Sequence, residues 1–319
     1  MTGRSASGLQ ALPMPPAKPP AKRRLARRLV AWTFVAPALA VIVLFFALPV
    51  LIGLALSLTD FDLYALADWR NLRFAGLDNY AHVLSLPLFW RALGNTLQFV
   101  LLGVPLSIAL SLSCAVLLQS PLARFKPFFR TALFAPVVTT LVAVAVVWRY
   151  LFHVRYGLIN AGLGGLGLEP IDWLGDPHWA MPSIIVLAVW KNFGANMIIF
   201  IAALQAIPDD LYEAARLDGA RRWAQFRYVT LPMLGPTLLM VSVLTMSGYF
   251  QLFAEPYVMT QGGPLQSTVS VLYLMFEEGF RWWNLGTASA IAFVLFVLMA
   301  ATSQGLLRLG RRGEAVASA

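Results

Sequence analysis

Between Trp32 and Leu56 the chain runs without a single charged side chain. A stretch of about 25 apolar residues is long enough to cross a bilayer, and in lipid its backbone polar groups can be satisfied only within a helix. Five further stretches of about 20 apolar residues are predicted as spans, at Thr96–Leu118, Thr131–Trp148, Pro182–Gln205, Met233–Leu252 and Leu285–Leu307. The expected fold is therefore an all-α integral membrane protein with six transmembrane helices. Composition agrees, with 59% of residues apolar and 12% charged, where soluble domains carry about a quarter charged. Mean hydropathy is +0.71. The lone Cys114 lies inside an apolar run, which excludes a disulfide framework.

Residues 1–28 are rich in Pro, Ala and basic side chains and cannot bury a core, so they are expected to form a mobile basic tail. Residues 29–312 form the six-helix domain and 313–319 a second tail. A cleaved signal peptide is rejected, because the first apolar run is much longer than a signal core. Six spans put both ends of the chain on one side. Seventeen lysines and arginines fall in the two tails, the loop after the second run and the segment after the fourth. Only six (Arg70, Arg73, Arg91, Arg149, Arg155 and Arg281) fall in the three opposite loops. By the positive-inside rule both termini face the cytoplasm, across the cytoplasmic (inner) membrane. Ten of the fifteen acids lie in the outer loops.

The one long charged segment between spans on the cytoplasmic side is Ile207–Pro232. Asp210 and Glu213 make an acidic version of the capping-box spacing, predicting a short helix that starts here. Glu213-Ala214-Ala215 puts one carboxylate on a small-residue face, and Gly219 lets the chain turn out of the helix. A second short helix, Arg221 to Val229, is expected to stop at Leu231-Pro232, since the residue before proline avoids the helical region. The result is a surface-parallel elbow held at both ends by spans.

These residues carry a resemblance. Glu213-Ala214-Ala215, Gly219 and Leu231-Pro232 match the EAA motif of ATP-binding-cassette importer permeases, and Leu204–Pro208 with Asp218-Gly219-Ala220 resemble the sugar-importer branch. Gly76–Tyr80, Thr260-Gln261-Gly262-Gly263-Pro264 and Gly286–Ala290 are similar to other segments of that family, so the likeness covers about residues 30–310. The resemblance implies the type I importer (MetI-like) permease fold. It makes the elbow, at about 209–222, a coupling helix that docks in a cleft of a separate ATPase. Glu213, Ala214, Ala215, Asp218, Gly219, Leu231 and Pro232 are then the ATPase-coupling residues. It further implies two ATPase subunits, an extracytoplasmic sugar-binding protein and a second homologous permease, a distinct chain or alternatively a second copy of this one. ATP and Mg would be bound by the ATPase, with no cofactor and no catalysis in this chain.

The residues themselves fit that picture. No GxxxxGK[ST] occurs, and the Gly-rich stretch Gly157–Gly167 lacks the Lys and hydroxyl of a phosphate loop. His82, His153 and His178 are scattered without metal-ligand spacing. As drawn above, the spans contain no Asp or Glu and one base, Lys191. That base lies roughly 15 Å deep. It either faces a wet cavity or reaches a carbonyl or headgroup, because a central lysine is costly in lipid. Asn192 and Asn196 share a face of the fourth span; Ser242, Thr245 and Tyr249 share one on the fifth, with Gln251 near its end. Amides, hydroxyls and an aromatic ring are what a sugar needs, although small polar residues also hold membrane helices together. Lys191, Asn192, Asn196, Thr245, Tyr249 and Gln251 are the candidate pathway residues.

The expected function is the permease subunit of an ATP-driven importer of a di- or oligosaccharide or related polyol. Glycerol phosphate or another small solute is the alternative, and Lys191 would suit an anion. A stand-alone secondary carrier is the rival class; it is expected to bury an Asp or Glu in its spans. A membrane enzyme is disfavoured, because no nucleophile–base or metal constellation is visible.

Overall fold

The computed structural model describes residues 21–120 and 123–317. The tails expected over 1–28 and 313–319 thus lie partly outside the described residues; within them, helix α1 (Ala21–Ile42) already takes in Lys22 to Arg28. Among the described residues the chain is helical, with one isolated bridge pair, Thr59 with Phe74. Residues up to Gly53 and those from Leu54 onward form two separate units.

In the first unit, α1 passes through a π turn at Val43–Ala47 into α2 (Leu48–Ser57), which carries the chain on into the second unit. The turn sits directly before Leu48-Pro49. Pro49 has no N–H to give and its ring collides with the carbonyl four residues back. Widening the helix so that the Leu48 N–H donates to Val43 O accommodates that carbonyl without a break.

The second unit is organised around α3 (Pro87–Gln119) and α6 (Pro177–Gln205), which pack along one another. Small buried residues on α3, including Ala92, Gly103, Ser107, Ser111 and Ala115, allow the close approach. Ser111 Oγ donates across it to Phe193 O at 2.8 Å. At one end the core is built on Phe89, Phe99, Ile184, Leu187, Phe250 and Ile291. A smaller cluster at the elbow end holds Leu118, Met197, Phe200 and Val241.

The third expected span is broken. Its halves, α4 (Lys126–Val138) and α5 (Leu141–Leu151), meet at 99° around Thr139-Thr140, both in extended conformation. Pro136 marks the weak point, and Thr139 Oγ1 donates to the Pro136 carbonyl at 2.6 Å. Gly194 lets α6 approach: a Cβ there would collide with backbone of α4, at 3.1 Å from Phe134 Cα. With the bent pair taken as one span, six segments among the described residues are long and apolar enough to cross a membrane, the number expected.

The elbow helices α7 (Asp209–Leu217) and α8 (Arg222–Gln225) follow, then α9 (Gly235–Tyr249), α10 (Ala254–Met259), α11 (Val271–Phe276) and α12 (Leu285–Ala317). Helix α10 lies beyond the expected end of the fifth span, in what the sequence presents as an outer loop. It packs against α5 and completes that end of the unit. Two of the glycine motifs meet nearby: Asn79 Nδ2 donates to Ser57 O and Thr59 O, and the Gly286 N–H donates to Phe61 O.

Candidate functional site

The fourth and fifth spans place their polar faces against one cavity. It has a volume of about 480 Å3 and is lined by Asn192 and Asn196 from α6, Thr245 and Tyr249 from α9, and Gln251 from the link that follows. Five of the six pathway candidates therefore come together. Asn196 Nδ2 donates to Thr245 Oγ1 at 2.9 Å, and Asn192 Nδ2 turns back to Ala188 O, also at 2.9 Å. Phe99 of α3 completes an aromatic wall, its ring stacked on Tyr249 with centroids 4.9 Å apart. The Tyr249 ring fits because residue 103 is glycine; a Cβ there would sit 2.8 Å from Cδ1, well inside contact distance.

The buried Tyr249 hydroxyl lies beside Ser107 and Asn192 but makes no hydrogen bond of normal geometry among the described residues.

Lys191 is not on this wall. Its ammonium donates to the Val137 carbonyl at 3.1 Å. Val137 is in the last turn of α4, where carbonyls lose their helical partners and the helix dipole favours a cation. Of its two sequence readings, reaching a carbonyl is the one realised: Lys191 caps the broken span.

The sequence reading that the spans hold no acid needs correction. Glu255, counted there among the outer-loop acids, is 7% exposed and lines the cavity. The chain folds back after Gln251, and the first turn of α10 carries the carboxylate inward. The compositional case against a secondary carrier, which rested on the absence of a buried acid, falls with it. Asp176, at the opposite end of α6, is an ordinary N-cap: the His178 N–H, then the His178 ring, hold its carboxyl below the usual range.

The elbow is a second candidate site. Helix α7 begins at Asp209 after Pro208, with no side-chain cap, so Asp210 lies in the first turn and not at the capping position. Its end is a Schellman motif, with Ala220 N–H donating to Ala215 O and Gly219 N–H to Arg216 O. Gly219, at φ +79°, takes the left-handed position that motif requires. Glu213 and Ala214 are exposed, Ala215 is half-buried, and Glu213 forms a solvent-exposed ion pair with Arg216 at 3.8 Å. Leu217, 90% exposed, and Trp223, 73% exposed, add an apolar surface that the motif does not announce.

The second elbow helix does not stop at Leu231-Pro232 as expected. After α8 comes a π turn at Phe226–Thr230, and Leu231 keeps helical angles with its N–H on Phe226 O. This is the device seen before Pro49. Tyr212 Oη and Thr230 Oγ1, 3.0 Å apart, tie α7 to that turn, and Gln225 Nε2 donates to Ala220 O. Asp218 is the C-cap of α7, and Leu231 and Pro232 carry the helix onward from the π turn. Between the elbow and the ends of α3 and α6 lies a groove of about 900 Å3. No three His, Cys, Asp or Glu gather as a metal site among the described residues.

Residues 19–312 match the family described as binding-protein-dependent transport system inner membrane component. The chain is 37% identical over 277 residues to the lactose transport system permease protein of Rhizobium radiobacter, covering 85% of this chain and 91% of that one. It is 34% identical over 283 residues to the trehalose/maltose transport system permease protein of Thermococcus litoralis, covering 88% and 93%. A chain in the crystal structure of a bacterial alginate ABC transporter, in complex with an alginate pentasaccharide-bound periplasmic protein, has the same fold. The TM-score is 0.76 at 22% identity, covering 92% of this chain and 97% of that one.

Proposed function

Because the chain belongs to the family of binding-protein-dependent transport system inner membrane components, we propose that it is the membrane-spanning subunit of an ATP-driven importer whose cargo is a carbohydrate. The observation that carries this reading is the cavity between α3, α6 and α9. Its volume of about 480 Å3 falls in the range of small-molecule sites. Three amides, two hydroxyls and a stacked aromatic pair are suited to a sugar's hydroxyls and to the apolar face of its ring. The relatives named for lactose and trehalose/maltose transport support the same substrate class.

The elbow is the proposed seat of an ATPase partner. Glu213 on a small-residue face, with exposed Leu217 and Trp223 beside it, suits a socket that offers one cation and apolar walls. ATP and Mg belong to that partner; this chain carries out no catalysis. The periplasmic protein in the related alginate transporter supports a binding protein that delivers cargo. A second homologous permease completes the passage, and both termini of this chain face the cytoplasm. Closure of the ATPases then moves the elbow and swaps the cavity between the two sides as a bistable gate.

The test is reconstitution into liposomes, with and without the partner subunits. ATP-dependent uptake of a saccharide in the complete assembly, and none by this chain alone, is the expected result. ATP-independent flux through this chain alone would favour a secondary carrier and overturn the reading.

A further inference from the structure

We propose that Glu255 makes the cavity selective by charge, admitting neutral polyhydroxyl solutes and turning away anionic ones such as uronates and phosphate esters. The inference rests on the cavity being the carbohydrate passage. Taken alone, the apolar runs point the other way, since their one charged side chain is Lys191, which would suit an anion. Folding reverses the sign. Lys191 is spent on the Val137 carbonyl and does not line the cavity, whereas Glu255 does. Glu255 makes no ion pair among the described residues. The other polar residues on the wall, Asn192, Asn196, Thr245, Tyr249 and Gln251, are uncharged.

Lys191, held on the Val137 carbonyl, stays out of the space a solute would fill. An entering molecule meets a carboxylate and no cation. A sugar hydroxyl can donate to that carboxylate in a charge-assisted hydrogen bond. A second carboxylate, or a phosphate, meets like charge where solvent screens poorly.

The experiment uses the complete transporter in nanodiscs without its binding protein, so that upstream selection plays no part. Binding is read by saturation-transfer NMR, with lactose, maltose and trehalose as neutral probes and digalacturonate as the acidic one. In the native protein digalacturonate is expected to bind at least about tenfold more weakly than the best neutral disaccharide. Glu255→Gln and Glu255→Ala are both made, so that one assembled neutral variant suffices, and that variant is expected to gain digalacturonate binding. Such a gain cannot come from misfolding. Equal binding of both classes to the native protein, or a gap unchanged in the neutral variants, overturns the charge selection and leaves the carbohydrate reading standing. Failure of every saccharide to bind any form overturns both.

Discussion

Asn196 Nδ2 donates to Thr245 Oγ1 across 2.9 Å, joining the fourth and fifth spans at the cavity wall. Both residues are buried. Removing either one leaves the other polar group without its partner in an apolar surround, and interhelical hydrogen bonds of this kind in membranes are worth about 1 kcal/mol. Asn196→Leu and Thr245→Val are each expected to lower stability by about that amount, and the double variant by less than their sum. Unfolding of the purified protein in a double-mutant cycle checks it. Strict additivity would mean that the bond contributes nothing.

The Tyr249 hydroxyl separates binding from folding. It is buried and makes no hydrogen bond of normal geometry among the described residues, so Tyr249→Phe removes a polar group that gives the folded chain little. Thermal stability is expected to stay level or rise, while affinity for a saccharide falls by about tenfold, the worth of one hydrogen bond of about 1.4 kcal/mol. Thermal unfolding and saccharide titration on the same preparation read the two effects. A drop in stability with unchanged binding would make the residue structural.

Lys191 should behave as a cap and not as a ligand. Lys191→Met strips the Val137 carbonyl of its donor. A loss of about 1–3 kcal/mol in stability is expected. The ranking of neutral disaccharides, measured by competition, should be preserved. A changed ranking would put the ammonium in the passage after all.

At the elbow, the left-handed Gly219 has open space around its missing Cβ. Gly219→Ala and Gly219→Trp should therefore cost this chain a similar 1–2 kcal/mol of backbone strain. Only the bulky variant, or Glu213→Lys, is expected to abolish ATP-dependent uptake, with membrane insertion intact. Uptake assays beside membrane fractionation decide it. If Gly219→Ala and Gly219→Trp were equally impaired, backbone strain would be the cause rather than a neighbour's surface.

The spans were legible because bilayer thickness makes apolar length a direct signal, and Asn192 with Asn196, or Thr245 with Tyr249, because helical spacing puts them on one face. Three things were not legible. Thr139 and Thr140 give no compositional sign of a 99° bend; Pro136, three residues earlier, only hints at it. Glu255 follows the end of the fifth apolar run and stands next to Pro256, so nothing local distinguishes it from a loop acid; its burial comes from tertiary packing of α10 on α5. Leu231-Pro232 reads as a helix stop because proline usually is one, but a wider turn lets the helix pass. Each miss is a case where a long-range contact or an unusual helical repeat overrode a local rule.

Position 103 carries a lesson about heredity. The Tyr249 ring occupies the volume that any other side chain at residue 103 would claim, so the two sites cannot drift independently. A lineage that exchanges tyrosine for something smaller frees its glycine to become alanine or serine. One that fills the glycine first loses its aromatic platform, and with it whatever cargo that platform favoured. Diversification of what passes through should leave its trace as paired changes on the second and fifth spans.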